Sequence, residues 1–342
     1  MDPAFDRQSV LAQVWAVKNS GFLFFLALVS SCQSADDDGG LVQGPARLSE
    51  SGLYANWPSR TLAERVVSFA PRFSLWSDGA EKTRYIWLPT GKRIDATELE
   101  HWQFPIGTKI WKEFRVDGRL VETRLTMKVR EPDDGGWWRM AYVWDEAETE
   151  AVAAPLGQED AAGTTHNVPE QRDCARCHYR NEVPVIGVSM LQLGGPAGSA
   201  PIEKLMGADL LENLPAARPL PEPFVPGDST TQAALGYLHA NCGHCHNSRS
   251  VAAADVKIFF ELHLDETSPE ATSVYKSTVG QPIHHFPDVG VSLLIAPGDP
   301  ENSLVHYRMA RRDDGQMPPV ATEFVDEKGL ATIDAWIRSL PK

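Results

Sequence analysis

Two stretches of this chain share the pattern Cys-x-x-Cys-His: Cys174-Ala175-Arg176-Cys177-His178 and Cys242-Gly243-His244-Cys245-His246. The pattern fits covalent attachment of a c-type haem. Two thiols at this spacing can add across the two vinyl groups on one porphyrin edge, and the next residue offers an imidazole to the iron. With 5 Cys and 10 His in 342 residues, random placement gives roughly 0.002 such pentads. The spacing therefore predicts two covalently bound haem c groups, on Cys174 and Cys177 and on Cys242 and Cys245, with His178 and His246 as iron ligands. Two other chemistries use paired cysteines. A structural zinc ion could take four thiolates, which would leave the histidine after each pair without a role. Redox disulfides expect a thioredoxin-like βαβ context, and none is visible around either pair.

A second axial ligand has to come from elsewhere in the chain. Gly315-Gln316-Met317-Pro318-Pro319 stands late in the sequence, where prolines limit local freedom and would hold the Met317 thioether in place for the second iron. Met309 is the rival, but it falls in a helix opened by Asp299 and Pro300, where it would face a core. His/Met ligation would make the second haem the higher-potential one. For the first haem the candidates are Met190, Met206 and His166. An open distal position is the other option, and it would allow small-ligand chemistry.

The elements that must position these residues change character along the chain. From about Leu62 to Ala154 the pattern has period two. In Leu120–Val129 the residues Val121, Thr123, Leu125, Met127 and Val129 alternate with Glu122, Arg124, Thr126 and Lys128, as in a half-buried strand. Ile110–Val116 alternates likewise, and Asp117-Gly118 between the two runs predicts a type I′ hairpin. Further strands are expected at Tyr85–Leu88 and Trp137–Trp144, with residues 132–136 as a turn. Eight of the ten tryptophans lie between Trp57 and Trp144. They read as core side chains rather than a ligand-stacking surface.

Beyond a Pro-rich stretch at 217–226, Ser229–Asn241 has helical spacing with Ser229-Thr230 as cap and runs straight into Cys242. At the end of the chain, Leu330, Ile333, Trp336 and Ile337 share one face of a helix over Gly329–Leu340. Two such helices around a haem edge look like the class I cytochrome c fold. Residues 256–264 alternate and predict a strand, and the pair His284-His285 reads as a solvated loop. The expected fold is multidomain α+β. An N-terminal antiparallel β sandwich or barrel precedes a mainly α-helical, cytochrome c-like haem region. The expected segments are a Trp-rich β domain (61–164), a first haem segment (165–217), a linker (218–228) and a cytochrome c-like domain with the second haem (229–342).

The N-terminus predicts export. Gly21–Val29 is an apolar run too short to span a bilayer but suited to a signal peptide over 1–31. Val29-Ser30-Ser31-Cys32 resembles the bacterial lipobox, in which Cys32 would carry the lipid. Residues 32–60 then read as a lipid-anchor tether, or else as an ordered arm packed on the body. Every cysteine has a task in this reading, so no pair is left for a disulfide. The formal charge of −14 argues against nucleic acid or an anionic lipid face as a partner. The expected partners are redox proteins, a dehydrogenase or another cytochrome, with the membrane reached through the lipid. The implied location is the periplasmic or cell-surface side of a bacterial membrane.

Together these motifs resemble a family of bacterial dihaem c-type cytochromes. The matching stretches are Leu75–Gly79 with Lys82 and Arg84, Phe104–Thr108, Glu122–Leu125, Tyr142–Trp144, Cys174–His178, Leu191–Leu193, Asn241–His246, Pro297–Pro300 and Met317–Pro319. The resemblance covers most of the chain after the tether and implies exported electron transfer. The alternative is a haem redox enzyme, peroxidase- or dehydrogenase-like, with an open first haem and a β domain that binds substrate. In a third reading the β domain docks the cytochrome onto a dehydrogenase.

Overall fold

The structure is a computed structural model that describes residues 44–131, 136–178, 185–195, 201–214, 223–250, 256–284 and 290–342. The segment expected to be a signal peptide, Cys32, the turn residues 132–135, most of the Pro-rich stretch and His285 lie outside the described residues. All described residues belong to one compact unit, Gln33–Lys342.

Its base is a six-stranded antiparallel meander. The strands are β1 (Val67–Phe69), β2 (Glu81–Trp87), β3 (Lys109–Val116), β4 (Arg119–Lys128), β5 (Trp137–Trp144) and β6 (Ala151–Ala153), hydrogen-bonded in chain order. The hairpin at Asp117-Gly118 forms with φ values of 50° and 80° at the two turn residues, the left-handed pair that a type I′ turn requires. The expected sandwich or barrel does not form. The sheet is open, its edges are strands of three residues, and the other described sheets have two strands each.

Mostly irregular chain covers both faces instead, joined on one of them by the short paired strands Tyr54–Asn56 and Thr61–Leu62. On one face Leu48 and Leu53 are fully buried against Trp111, Leu125, Tyr142 and Trp144, and Ser51 accepts a hydrogen bond from Trp111 Nε1 at 3.0 Å. Residues 44–60 are thus an ordered arm rather than a free tether. In the β region tryptophans 102, 111, 137, 138 and 144 are core residues, and Trp57 stacks on Trp144 at 5.4 Å. Trp76 lines a cleft instead.

The opposite face was expected to meet solvent, yet Glu122 and Lys128 on it are 0% and 2% exposed. The loop with His166 and the first Cys-x-x-Cys-His segment lie over it. A further core joins β-region residues Phe69, Ile86 and Trp102 to Val185, Met190, Leu193 and Leu205. The segment that follows the first pentad therefore shares its apolar interior with the sheet region.

The helical part is modest. Cys174–His178 forms one short turn, α1. Helix α2 (Ser229–Leu238) is capped by Asp228, one residue before the expected cap, whose carboxylate accepts from Thr231 N at 2.8 Å. It continues as a π-helical turn over His239–Gly243. Helix α3 (Glu327–Ser339) is capped by Asp326. The two pack through Ala234, Leu235 and Leu238 against Ile333, Trp336 and Ile337. The strand expected at 256–264 does not form, because among the described residues no ladder partner runs beside it. Its amides donate instead to Ser277 Oγ, the His246 carbonyl, His239 Nδ1 and the Glu100 carboxylate.

The α2–α3 crossing depends on a missing side chain. A Cβ on Gly329 would overlap the Tyr237 ring. Glycine to alanine in an open helix gains up to about 1 kcal/mol, whereas overpacking a buried contact costs about 1–3 kcal/mol. Gly329→Ala should therefore lower the thermal midpoint, and a raised midpoint by calorimetry would contradict this packing.

Candidate functional site

The residues of the first pentad and part of the second border one cleft. It encloses about 1450 Å³ of non-atom space, open solvent at its mouth included. Cys174, Cys177 and His178 line it from α1, and Asn241 and His244 from the second pentad's turn. Phe69, Phe73, Leu75, Trp76 and Ile110 give it apolar walls, and Arg84, Lys112, Arg124 and Arg139 make its sheet floor cationic.

Local structure explains the positions. Gln171 Nε2 donates to the Arg139 carbonyl at 2.8 Å, which sets the turn leading into α1 above β5. In the second pentad the Cys242 carbonyl accepts from the Cys245 and His246 amides at 3.1 and 2.8 Å. Asn247 donates to the Gly243 and His244 carbonyls at 2.8 and 3.2 Å. Asn241 fastens this turn to the β region: its Oδ1 accepts from Trp76 N at 2.6 Å, and its Nδ2 donates to the Tyr237 and Ser74 carbonyls. A π-helical turn at this point is of the kind often found at functional sites.

The fold brings the two pentads together. The donor atoms of Cys177, His244 and Cys245 all lie within 4.8 Å of one another. The four described cysteines are free thiols. The Cys177 thiol is pulled far below its ordinary range, first by the Cys245 S–H that donates to it and then by His244, against the effect of burial. Burial pushes Cys174 up, with Arg124 and Arg139 opposing it, and pushes Cys242 up to about 12. Cys242 packs against the α2–α3 core. His246 sits edge-on to Phe260 at 5.5 Å. Its Nδ1 is buried without a hydrogen-bond partner, and burial lowers its pKa, partly offset by the Ile258 carbonyl.

The axial candidates are more scattered. Met317 is half-buried, with its amide donating to the Arg308 carbonyl at 3.0 Å. The residues after it, Pro318 and Val320 to Thr322, line the cleft of the first pentad. Asp78 holds this loop by accepting from the Glu323 and Phe324 amides at 2.9 and 3.0 Å. Met309 faces a core, as expected. Met190 is a core residue at 2% exposure, and Met206 packs against that same core. His166 is committed to a carboxylate: its Nε2 lies 2.8 Å from Glu122 Oε2.

Glu122 organises the floor of the cleft. The same carboxylate takes Arg124 in a bidentate pair at 2.5 and 3.0 Å. Burial opposes its ionisation, but Arg124 and His166 outweigh that and hold its pKa below the ordinary range. Sequence reading missed this group, the cationic floor, and the role of His244 and Asn241. The charged alternation in β4 was visible, whereas its covering was not. No family model, curated protein or solved structure matches the chain.

A buried carboxylate with a depressed pKa stabilises the fold above the unfolded glutamate pKa. That contribution is lost as pH falls through the folded value. Removing one member of a buried ionic group costs about 3–5 kcal/mol. Glu122→Gln should therefore lose stability of that order at neutral pH and show a flatter decline below about pH 4.3. Urea unfolding of both proteins across pH 3–7 checks both effects.

Proposed function

We propose that the chain is an exported dihaem c-type cytochrome whose task is electron transfer. The observation that carries this reading is the pair of Cys-x-x-Cys-His pentads, 68 residues apart in register (Cys174 to Cys242) and adjacent in the fold at Cys177 and Cys245. The residues present fit a haem at the first pentad. The cleft beside Cys174, Cys177 and His178 is large, has apolar aromatic walls and carries cations on its floor. At the second pentad, the packing of α2 against α3 beside Cys242 supports reading this half as a cytochrome c-like domain.

Haem, when bound, supplies a ferrous–ferric couple at a potential set by its ligands and surroundings. The chain does the rest. Cys174, Cys177, Cys242 and Cys245 would hold the two groups covalently, His178 and His246 would present imidazole to the irons, and Met317 would present a thioether to the second. The buried position of His246 keeps its ring neutral and able to ligate. Close approach of the pentads would favour electron exchange between the two centres. A lipid on Cys32 would confine the protein to a membrane surface on the periplasmic or cell-surface side, within reach of a dehydrogenase or another cytochrome. Among the described residues no helix is long and apolar enough to cross a membrane.

A second reading rests on the donor group itself. Cys177, His244 and Cys245 within 4.8 Å could hold a zinc-like ion with N and S ligands. Intact mass and metal analysis separate the two. Protein made with the c-type maturation machinery should carry the mass of two haems, give low-spin ferric spectra, and give ferrous spectra insensitive to carbon monoxide. Stoichiometric zinc without haem would replace the cytochrome reading. One high-spin, carbon monoxide-binding haem would move the assignment to a redox enzyme. Replacing the thioether in Met317→His should lower the potential of the second haem and abolish its sulfur-to-iron absorption in the far red. An unchanged spectrum would remove Met317 from the ligand set.

A further inference from the structure

The floor of the cleft carries a row of like charges. In the strand register Arg84 on β2 stands opposite Lys112 on β3, and Lys112 stands opposite Arg124 on β4. Side chains paired in this way share one face, and like charges directly opposite are destabilising. One carboxylate compensates part of the row: Glu122 is engaged with Arg124 and His166. Asp173, also at the cleft, pairs with Arg176 at 3.5 Å. Among the described residues Lys112 forms no ion pair with a carboxylate, Glu122 favouring its charge only through space, and its ammonium lies 4.9 Å from the Phe114 ring centroid. Arg84 is 8% exposed and its guanidinium makes no hydrogen bond or ion pair among the described residues.

Burying cations without partners costs several kcal/mol per ion unless another group compensates. The chain as a whole carries −14, so a cationic floor is not a by-product of composition. Its orientation matters as well. The first pentad approaches from the β5 side, where Gln171 binds the Arg139 carbonyl. From there the cations continue across β4 and β3 to β2, three strand spacings or about 14 Å from β5. The thioether-forming edge and the propionate-bearing edge of a haem are opposite edges of one ring.

We propose that Arg84 and Lys112 form a carboxylate-binding site for the propionates of the haem held by Cys174 and Cys177. The assignment rests on the cytochrome reading above. Arg84 offers a planar fork suited to a carboxylate, and Lys112 a point charge beside it. Arg124, already neutralised by Glu122, forms the inner wall. Cations at this site favour the ferrous state, because reduction leaves the haem with one positive charge fewer.

The test uses the full-length, haem-loaded protein. Arg84→Gln, Lys112→Met and their double variant are compared with Arg84→Lys, which keeps the charge, and with Lys92→Gln, which removes an exposed charge. Haem on the peptide containing Cys174 to His178 is confirmed by mass, and each haem's midpoint potential is measured by spectroelectrochemistry. The expected result is retention of both haems with a downward shift of the first potential. That shift should be larger in the double variant than in either single one, and nearly absent in Arg84→Lys and Lys92→Gln. Potentials equal to that of Lys92→Gln in all variants would overturn the site. If succinate raises the melting temperature of the parent but not of the double variant, while the potentials coincide, the row binds a free carboxylate and the propionate assignment falls. Absence of haem from the Cys174 peptide in the parent would overturn the cytochrome reading and this assignment with it.

Discussion

The carboxylate of Glu122 is the point on which the described structure turns. It has no exposure to solvent, so it stays ionised only because Arg124 and His166 both bind it. Arg124 belongs to the same strand, whereas His166 comes from the loop that leads to the first pentad. One buried ionic group therefore settles the chemistry of the sheet floor and ties down the segment that carries Cys174 and Cys177. Without it, the covered face of the sheet would hold cations only, and the chain above that face would lose its anchor.

Much of the fold was legible because it depends on local rules. The Asp117-Gly118 hairpin, the strand at Trp137–Trp144 and the helix ending in Trp336 and Ile337 follow from turn chemistry and periodicity. The number of layers was not legible. Alternation in β4 separates two faces but does not reveal that residues 44–60 cover one and residues 161–178 the other, since both covers are remote in sequence. The expected sandwich failed for this reason: mostly irregular chain with one two-stranded ribbon, rather than a second large sheet, supplies the facing layers among the described residues. The 256–264 segment shows the converse. Its alternation is real, but a strand needs a neighbour, and here side chains and isolated carbonyls receive its amides.

The candidate site was legible in the spacing of its cysteines and histidines and hidden in its surroundings. The Cys-x-x-Cys-His pentads announce themselves through spacing alone. That Cys177 and Cys245 lie together, that Asn241 fastens the second pentad to Trp76, and that a cationic row spans β2 to β4 depend on register and on long-range packing. The distal candidates show how tertiary context reassigns residues. His166 has a plausible side chain, but its Nε2 is already engaged, and Met190 is core.

The meeting of Cys177 with Cys245 also constrains the order of events during biogenesis. In the folded chain these thiols are half-buried and crowded by His244, and sulfurs so near one another invite oxidation across the two pentads in an oxidising compartment. On the cytochrome reading proposed above, each pentad would have to be loaded while its segment is still unfolded, before α1 settles on the sheet and the turn after α2 closes over it. Docking of the two segments would act as a late checkpoint, reached safely only by a chain whose cysteines have already been used.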